Sequence, residues 1–214
     1  MGRLEAVISD FGGVLTSPLA GAFAAFQDDS GIPLAELGTA MAGLASAHGA
    51  NPLFELETGR LSEADFLADL AGQLSQQLER EVDLTGFGER YFAALEPNEP
   101  FIAYLRNVRE RGYRLAICTN NVREWAPRWQ AMIPVRELFD VVVDSAFVGA
   151  RKPEPEIYRV TLDRLGVGAE AAVLIDDVQE NCAGARALGL GAIWFQDTEQ
   201  AIAETEAALG EASR

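Results

Sequence analysis

Four stretches of this chain combine residue types that could do chemistry on phosphorus. Asp10 follows the apolar run Ala6–Ser9 and precedes Phe11-Gly12-Gly13. Thr119-Asn120-Asn121 ends a second such run, Ala150-Arg151-Lys152-Pro153 follows a third, and Asp176-Asp177 closes a fourth. A carboxylate such as Asp10 can attack phosphorus and form an acyl phosphate. The adjacent acids Asp176 and Asp177 can hold Mg²⁺, which prefers hard oxygen ligands; without a cation they would repel each other. The Thr119 hydroxyl and nearby backbone N–H groups can hold phosphoryl oxygens. Lys152 can balance charge around nucleophile and phosphate, and the glycines let the backbone approach a substrate closely. Taken singly, each feature has an ordinary reading as a turn former, a helix cap or a solvated loop. Their ordered appearance at successive strand ends is the signal.

Positioning these residues requires strands that alternate with helices. Strands are expected at Ala6–Ser9, Tyr113–Cys118, Phe139–Val143, Ala172–Ile175 and Ala192–Phe195. Helices are expected at Glu99–Arg111, Val122–Met132, Glu154–Leu165, Val178–Leu188 and Glu199–Leu209, with Gly112 and Gly166 as stops. That alternation implies an α/β fold with a parallel sheet and right-handed crossovers. In such a sheet function collects at the carboxyl ends of the strands. The first strand and the second are separated by a different texture, rich in helix formers at Leu34–Ala47, Ser62–Glu79 and Leu84–Leu95. Ser62 with Asp65 approximates a capping box. A helical insertion therefore interrupts the core after its first strand. The expected division is a core of residues 1–17 and 96–214 and a cap of residues 18–95, with Pro18 and Pro97 near the crossings.

Composition narrows the function classes. The chain has 214 residues, 49% of them hydrophobic, enough for a buried core. Its apolar runs are too short to span a bilayer, and the N-terminal stretch lacks the apolar core and cleavage site of a secretory signal. Ala6 stands where a myristoylation pattern wants Ser or Thr. With 17 basic against 33 acidic residues the net charge is −16, and no basic cluster points to nucleic acid. Lysine is nearly absent, which makes Lys152 conspicuous. Cys118 and Cys182 form neither a disulfide framework nor a metal pair, and Cys118 reads as a small core residue. A reducing cytoplasm is the simplest compartment.

At these residues the chain resembles the haloacid dehalogenase (HAD) superfamily, with a helical cap after the first strand, over essentially its whole length. DFGGVL, PLFELETGRLSEADF, RKPEPEIY and IDDVQENCAGARALGLGAIWF are similar to segments of the phosphatases typified by the N-terminal domain of soluble epoxide hydrolase. The resemblance implies a Rossmann-like three-layer core, closure of the site by the cap, and a two-step phosphatase mechanism through an aspartyl phosphate. It makes Asp10 the nucleophile, Thr119 the phosphate-binding hydroxyl, Lys152 the basic residue, and Asp176 and Asp177 the metal-site acids. Asp10 and the Gly12 carbonyl complete the Mg²⁺ ligands. Gly12, Gly13, Thr119, Asn120 and Lys152 would hold the substrate, a small phosphorylated metabolite. Soluble enzymes often form symmetric dimers, and the cap could contribute an interface.

The pattern breaks at Gly12, where most phosphatases of this family carry a second Asp that moves the leaving-group proton. General acid–base catalysis is worth about 10²–10⁴-fold. The substrates could have good leaving groups, a substitute acid could come from the cap or from water, or the protein could be a weak phosphatase kept for binding. The same absence fits a metal-independent 2-haloacid dehalogenase, although the Asp176–Asp177 pair argues for a metal. His48 is either a substitute acid or a surface residue. Trp125 and Trp129 are either core or ligand contacts. Arg123 and Arg151 either hold a substrate anion or face solvent, and Asn181 either supports the metal site or lies on a helix surface.

Overall fold

A computed structural model describes residues 4–211; residues 1–3 and 212–214, the ends of the expected core, lie outside the described residues. The strands are β1 (Ala6–Ser9), β2 (Arg114–Thr119), β3 (Val141–Asp144), β4 (Ala172–Asp176) and β5 (Gly191–Trp194). All are parallel, in the order β3-β2-β1-β4-β5. The insertion after β1 carries α1 (Leu19–Ser30), α2 (Leu34–His48), α3 (Pro52–Glu57), α4 (Glu63–Leu78) and α5 (Phe87–Ala93). The rest of the core carries α6 (Glu99–Glu110), α7 (Ala126–Met132), α8 (Val135–Leu138), α9 (Ser145–Val148), α10 (Pro155–Leu165), α11 (Gln179–Ala187) and α12 (Thr198–Glu211).

Three layers follow from the alternation of side chains along each strand. Val7, Leu115, Ile117, Val173 and Ile175 pack on one face against Phe101 and Leu105 of α6, Trp129 of α7 and Ala201 of α12. Ala6, Ile8, Ala116, Cys118 and Leu174 pack on the other against Ile157, Tyr158 and Leu162 of α10 and Ala185 of α11. Covering both faces makes central parallel strands continuous apolar runs. That is why β1 and β4, buried at every position, stand out in the sequence. Among the described residues no helix is long and apolar enough to cross a membrane.

The insertion has its own core, in which Phe26, Leu44, Leu56, Phe66, Leu74 and Phe87 are buried together with Val122 from the sheet side. Ser62 caps α4 through Asp65 N–H, as its sequence implies. The two chain crossings are pinned to each other. Thr16 and Pro97 form an antiparallel bridge, Ser17 N–H donates to Glu96 O (2.7 Å), and Asn98 N–H donates to Leu15 O (2.9 Å). Some elements differ from expectation. Leu84–Leu95 is helical only over Phe87–Ala93, because Gly86 enters it with φ 71°. Val122–Met132 begins as a 3₁₀ turn, Arg123–Trp125, before α7. The helices α1 and α3 carry no early sign: Pro18 gives α1 no side-chain cap, and α3 is a six-residue helix, too short for periodicity.

Candidate active site

The strand order reverses between β1 and β4, the place where an open α/β sheet leaves a crevice. Ser9 and Ile175 are register partners, and Asp10 N–H extends the ladder to Ile175 O (2.9 Å). Asp10 and Asp176 therefore leave the sheet side by side. Carboxylate oxygens of Asp10, Asp176 and Asp177 all lie within 4.8 Å of one another. The chain's only lysine, Lys152, is buried between two of them. Its Nζ stands 2.6 Å from Asp176 Oδ2 and 2.8 Å from Asp10 Oδ1. The second approach is an ion pair without hydrogen-bond alignment, so Asp10 Oδ1 is buried with no aligned donor.

Each member is held from behind. Asp176 Oδ1 accepts from Val178 N–H and from Asn181 Nδ2, both at 2.9 Å. Asn181 thus supports the acid at the end of β4. The Asn120 side chain clamps the Lys152 backbone on both sides, Nδ2 donating to Lys152 O (3.0 Å) and Oδ1 accepting from Lys152 N–H (2.7 Å). On the far side of this loop α11 passes so close that a Cβ on Gly184 would meet Pro153 O at 2.7 Å. Thr119, at the end of β2, is buried and faces the same cavity as Asp10. The turn after it is fixed by Asn121 N–H donating to Ser145 Oγ (3.0 Å).

Burial pushes the Asp10 carboxyl up to about 7; Lys152 pulls the other way, and the Asp176 and Asp177 charges add to the rise. Asp177 is raised too, by burial and then by Asp176. Three acids facing one ammonium leave negative charge for a cation to neutralise. The oxygen-only donor set suits Mg²⁺. The Asp177 carboxylate is seated where only a glycine fits: at Gly13 (φ +78°) a Cβ would overlap Asp177 Oδ2. Asp10, Asp176 and Asp177 fit the group that the sequence implies.

Asp10 and Asp177 lie at the floor of a cavity of about 520 Å³ beneath the cap, with Asp176 fully buried behind them. Gly12 and Asn120 line it with Asp10, Thr119, Lys152 and Asp177. Gly13, expected among the substrate contacts, is placed otherwise. It does not line the cavity, and its N–H donates to Thr16 Oγ1 (3.0 Å). Its bare Cα makes room for Asp177 instead. The cavity walls are largely apolar, with Leu19, Phe23, Met41, Phe66, Leu70 and Phe87 prominent.

The two tryptophans part company. Trp129 is core, packed on Phe11 (5.0 Å between centroids) with its indole N–H on Asp144 Oδ2 (3.3 Å). Trp125 lines the cavity, stacked on Tyr91 and bonded to Glu63 Oε1 (2.6 Å). His48 is exposed at the end of α2, 3.9 Å from Asp69, and lines a different, smaller pocket. The Arg123 guanidinium bonds Ala146 O and covers Phe147, away from the cavity. Arg151 lines the cavity but faces no solvent freely. Its Nε donates to Glu57 Oε2 (2.7 Å) and its guanidinium lies 3.9 Å from the Phe54 ring centroid. Glu57 lies in the LETGRLSEADF segment, but its partner is 94 residues away in sequence, so the pair could not be read from spacing.

Residues 4–189 match the haloacid dehalogenase-like hydrolase family, and the chain belongs to it. The chain is 30% identical over 191 residues to a phosphatase of Mycobacterium tuberculosis, covering 88% of this chain and 86% of that protein. Porcine bifunctional epoxide hydrolase 2 is 32% identical over 117 residues, 53% of this chain. The chain spans only about a fifth of the length of that hydrolase, 21%, and of a murine acyl-CoA dehydrogenase family member, 19%. Among solved structures, a 2-haloacid dehalogenase from Pseudomonas syringae superposes with a TM-score of 0.66 at 19% identity, covering 99% of both chains. A HAD family enzyme from Bacteroides thetaiotaomicron, crystallised with magnesium and inorganic phosphate, gives 0.63 at 18% identity, covering 89% of this chain and 93% of its own. The chain is thus a hydrolase of this family with phosphatases among its relatives.

Proposed function

We propose that this protein is a Mg²⁺-dependent phosphatase that hydrolyses small phosphate monoesters with an apolar leaving portion, through an Asp10 acyl phosphate. The observation that carries this reading is the cluster of Asp10, Asp176 and Asp177 beside Lys152, of which Asp10, Asp177 and Lys152 line the cavity. Asp10 supplies the nucleophilic oxygen, and Lys152 holds it by charge. Thr119 and the Asn120 backbone face the space where the phosphoryl oxygens would sit. The apolar cavity walls take the rest of the molecule and exclude water from the phosphorus. Asp10, Asp176, Asp177 and the Gly12 carbonyl would hold Mg²⁺, which when bound neutralises charge on the phosphoryl group.

Inorganic phosphate release from alkyl, aryl and acyl phosphates, with Mg²⁺ and with a chelator, tests the reading. Metal-dependent release that disappears in Asp10→Asn is the expected result. A second reading, displacement at carbon without a metal, has the missing proton carrier at Gly12 in its favour. Halide release from 2-haloacids in chelator, with no phosphate release from the panel, would replace the first reading with the second.

Gly13→Ala should weaken the metal site without replacing any ligand. The new methyl must displace the Asp177 carboxylate, and Ala at φ +78° adds about 1–2 kcal/mol of backbone strain. Displaced supporting geometry typically costs metal affinity about 10–100-fold. A magnesium titration of phosphate release should shift its midpoint by that order; an unshifted midpoint would separate Asp177 from the metal.

A further inference from the structure

An alkoxide is a poor leaving group, so cleaving an alkyl phosphate at Asp10 needs a proton delivered to the departing oxygen. The loop after Asp10 cannot deliver it. Phe11, Gly12 and Gly13 have no titratable side chain. The space beside Gly12 is filled by Leu19, whose methyl carbons stand 3.3 Å from where a Cβ would be. The donor must come from elsewhere on the cavity wall. Lys152 is fixed between Asp10 and Asp176. Burial, with Asp10 and Asp177 nearby, holds the Tyr91 phenol above its ordinary range. Glu63 gives an oxygen to the Trp125 indole.

Glu57 differs from these in being tied through Arg151 to the loop that carries Lys152. It ends α3, lines the cavity that Asp10 lines, and its side chain is 15% exposed. As in Glu63, one oxygen is engaged and one is not: Oε2 accepts from Arg151 Nε, while Oε1 accepts no hydrogen bond among the described residues. Arg151 precedes Lys152 in the chain, so the pair brings this cap carboxyl to the loop that touches the nucleophile. The cations acting on Glu57 are Arg151 and Lys152, which pull against the effect of burial; burial wins and its proton affinity is raised. The other charges on α3 and its neighbours are engaged elsewhere: Glu55 with Arg60 (2.7 Å), Glu63 with Trp125, Glu36 with Gln77 and His48 near Asp69. The short helix α9 carries no charge.

We propose that Glu57 is the general acid–base of this reaction, a proposal that rests on the phosphatase reading above. In the first half, an Asp10 oxygen forms a bond to phosphorus and the bond to the leaving oxygen breaks. That oxygen keeps the electron pair and takes the Glu57 proton. Alcohol, Asp10 acyl phosphate and Glu57 carboxylate result. In the second half, water attacks phosphorus, the bond to Asp10 breaks, and Glu57 takes the proton from the water. Inorganic phosphate leaves with both side chains restored.

The test is single-turnover leaving-group release by Glu57→Gln, whose amide oxygen still accepts from Arg151. Hexyl phosphate needs the proton; acetyl phosphate, which releases a carboxylate, does not. Hexanol release should slow by about 100-fold or more, and acetate release by less than about threefold. The acyl phosphate formed from acetyl phosphate should also decay more slowly. Arg151→Gln removes the nearest cation and should move the alkaline limb of kcat/KM for hexyl phosphate to higher pH. Equal slowing on both substrates would mean that the pair only fastens the cap, and it overturns the proposal. Unchanged rates, or an unmoved alkaline limb in Arg151→Gln, overturn it too. If wild-type protein releases no phosphate, or releases it without Asp10, the phosphatase reading fails and takes this one with it. An active, Asp10-dependent wild type beside an indifferent Glu57→Gln sinks the Glu57 role alone.

Discussion

Asp10→Asn is expected to abolish phosphate release, by about 10³-fold or more, while the protein stays folded and becomes no less stable. The amide keeps the shape of the carboxyl and loses the oxygen that attacks phosphorus. It also removes one of three acids crowded around Lys152. The stability consequence has a definite sign. Burial pushes the Asp10 carboxyl up to about 7, well above its ordinary value near 4. Between those values the folded chain keeps a proton that the unfolded chain has released, so stability falls as pH rises through the window. With chelator present, the melting temperature of the wild type should therefore decline from about pH 4 to about pH 7 more steeply than that of Asp10→Asn. Part of the slope should remain in the variant, because burial also pushes Asp144 up to about 6. Turnover retained in Asp10→Asn would remove this carboxyl from the nucleophile role. Identical pH slopes would mean that its proton is not held in the folded state.

The strand ends were legible because parallel strands covered on both faces must be apolar throughout, so a polar residue marks where each leaves the core. Asp10, Thr119 and Asp176 could be found that way. Lys152 could be found by rarity, since a lysine in an otherwise lysine-free chain needs a reason to be there. What remained hidden are relations across long separations. Asn120 follows Thr119 in sequence, yet its side chain clamps the backbone of Lys152, 32 residues on. Gly13 reads as a phosphate-loop glycine, and only the fold brings its bare Cα against Asp177. Glu57 and Arg151 meet because the cap returns to the core, and no periodicity encodes that return. Helix α1 is silent in the sequence for a local reason: it starts after a proline that offers no capping side chain.

Lys152→Met should produce the largest loss of stability available at this site. The lysine is 1% exposed. Burial opposes its charge, but the Asp10 and Asp176 carboxylates outweigh that and hold the ammonium above its ordinary range. Methionine fills much of the volume with no charge, leaving two buried carboxylates without their cation. Breaking a buried pair in this way costs about 3–5 kcal/mol. In a domain of this size each kcal/mol lowers the melting temperature by roughly 2–4 °C. The same change raises the net negative charge of the acid cluster, so Mg²⁺ should stabilise the variant more than the wild type, through mass action on the folded state. Activity should not return with that stability, because the group that offsets charge beside Asp10 is gone. A second substitution separates the causes. Adding Asp10→Asn to Lys152→Met should recover part of the stability, since the two residues touch and their effects cannot add independently. Additive losses would place the role of the lysine with Asp176 alone, 2.6 Å away, and would make it a brace for the end of β4 rather than a partner of the nucleophile.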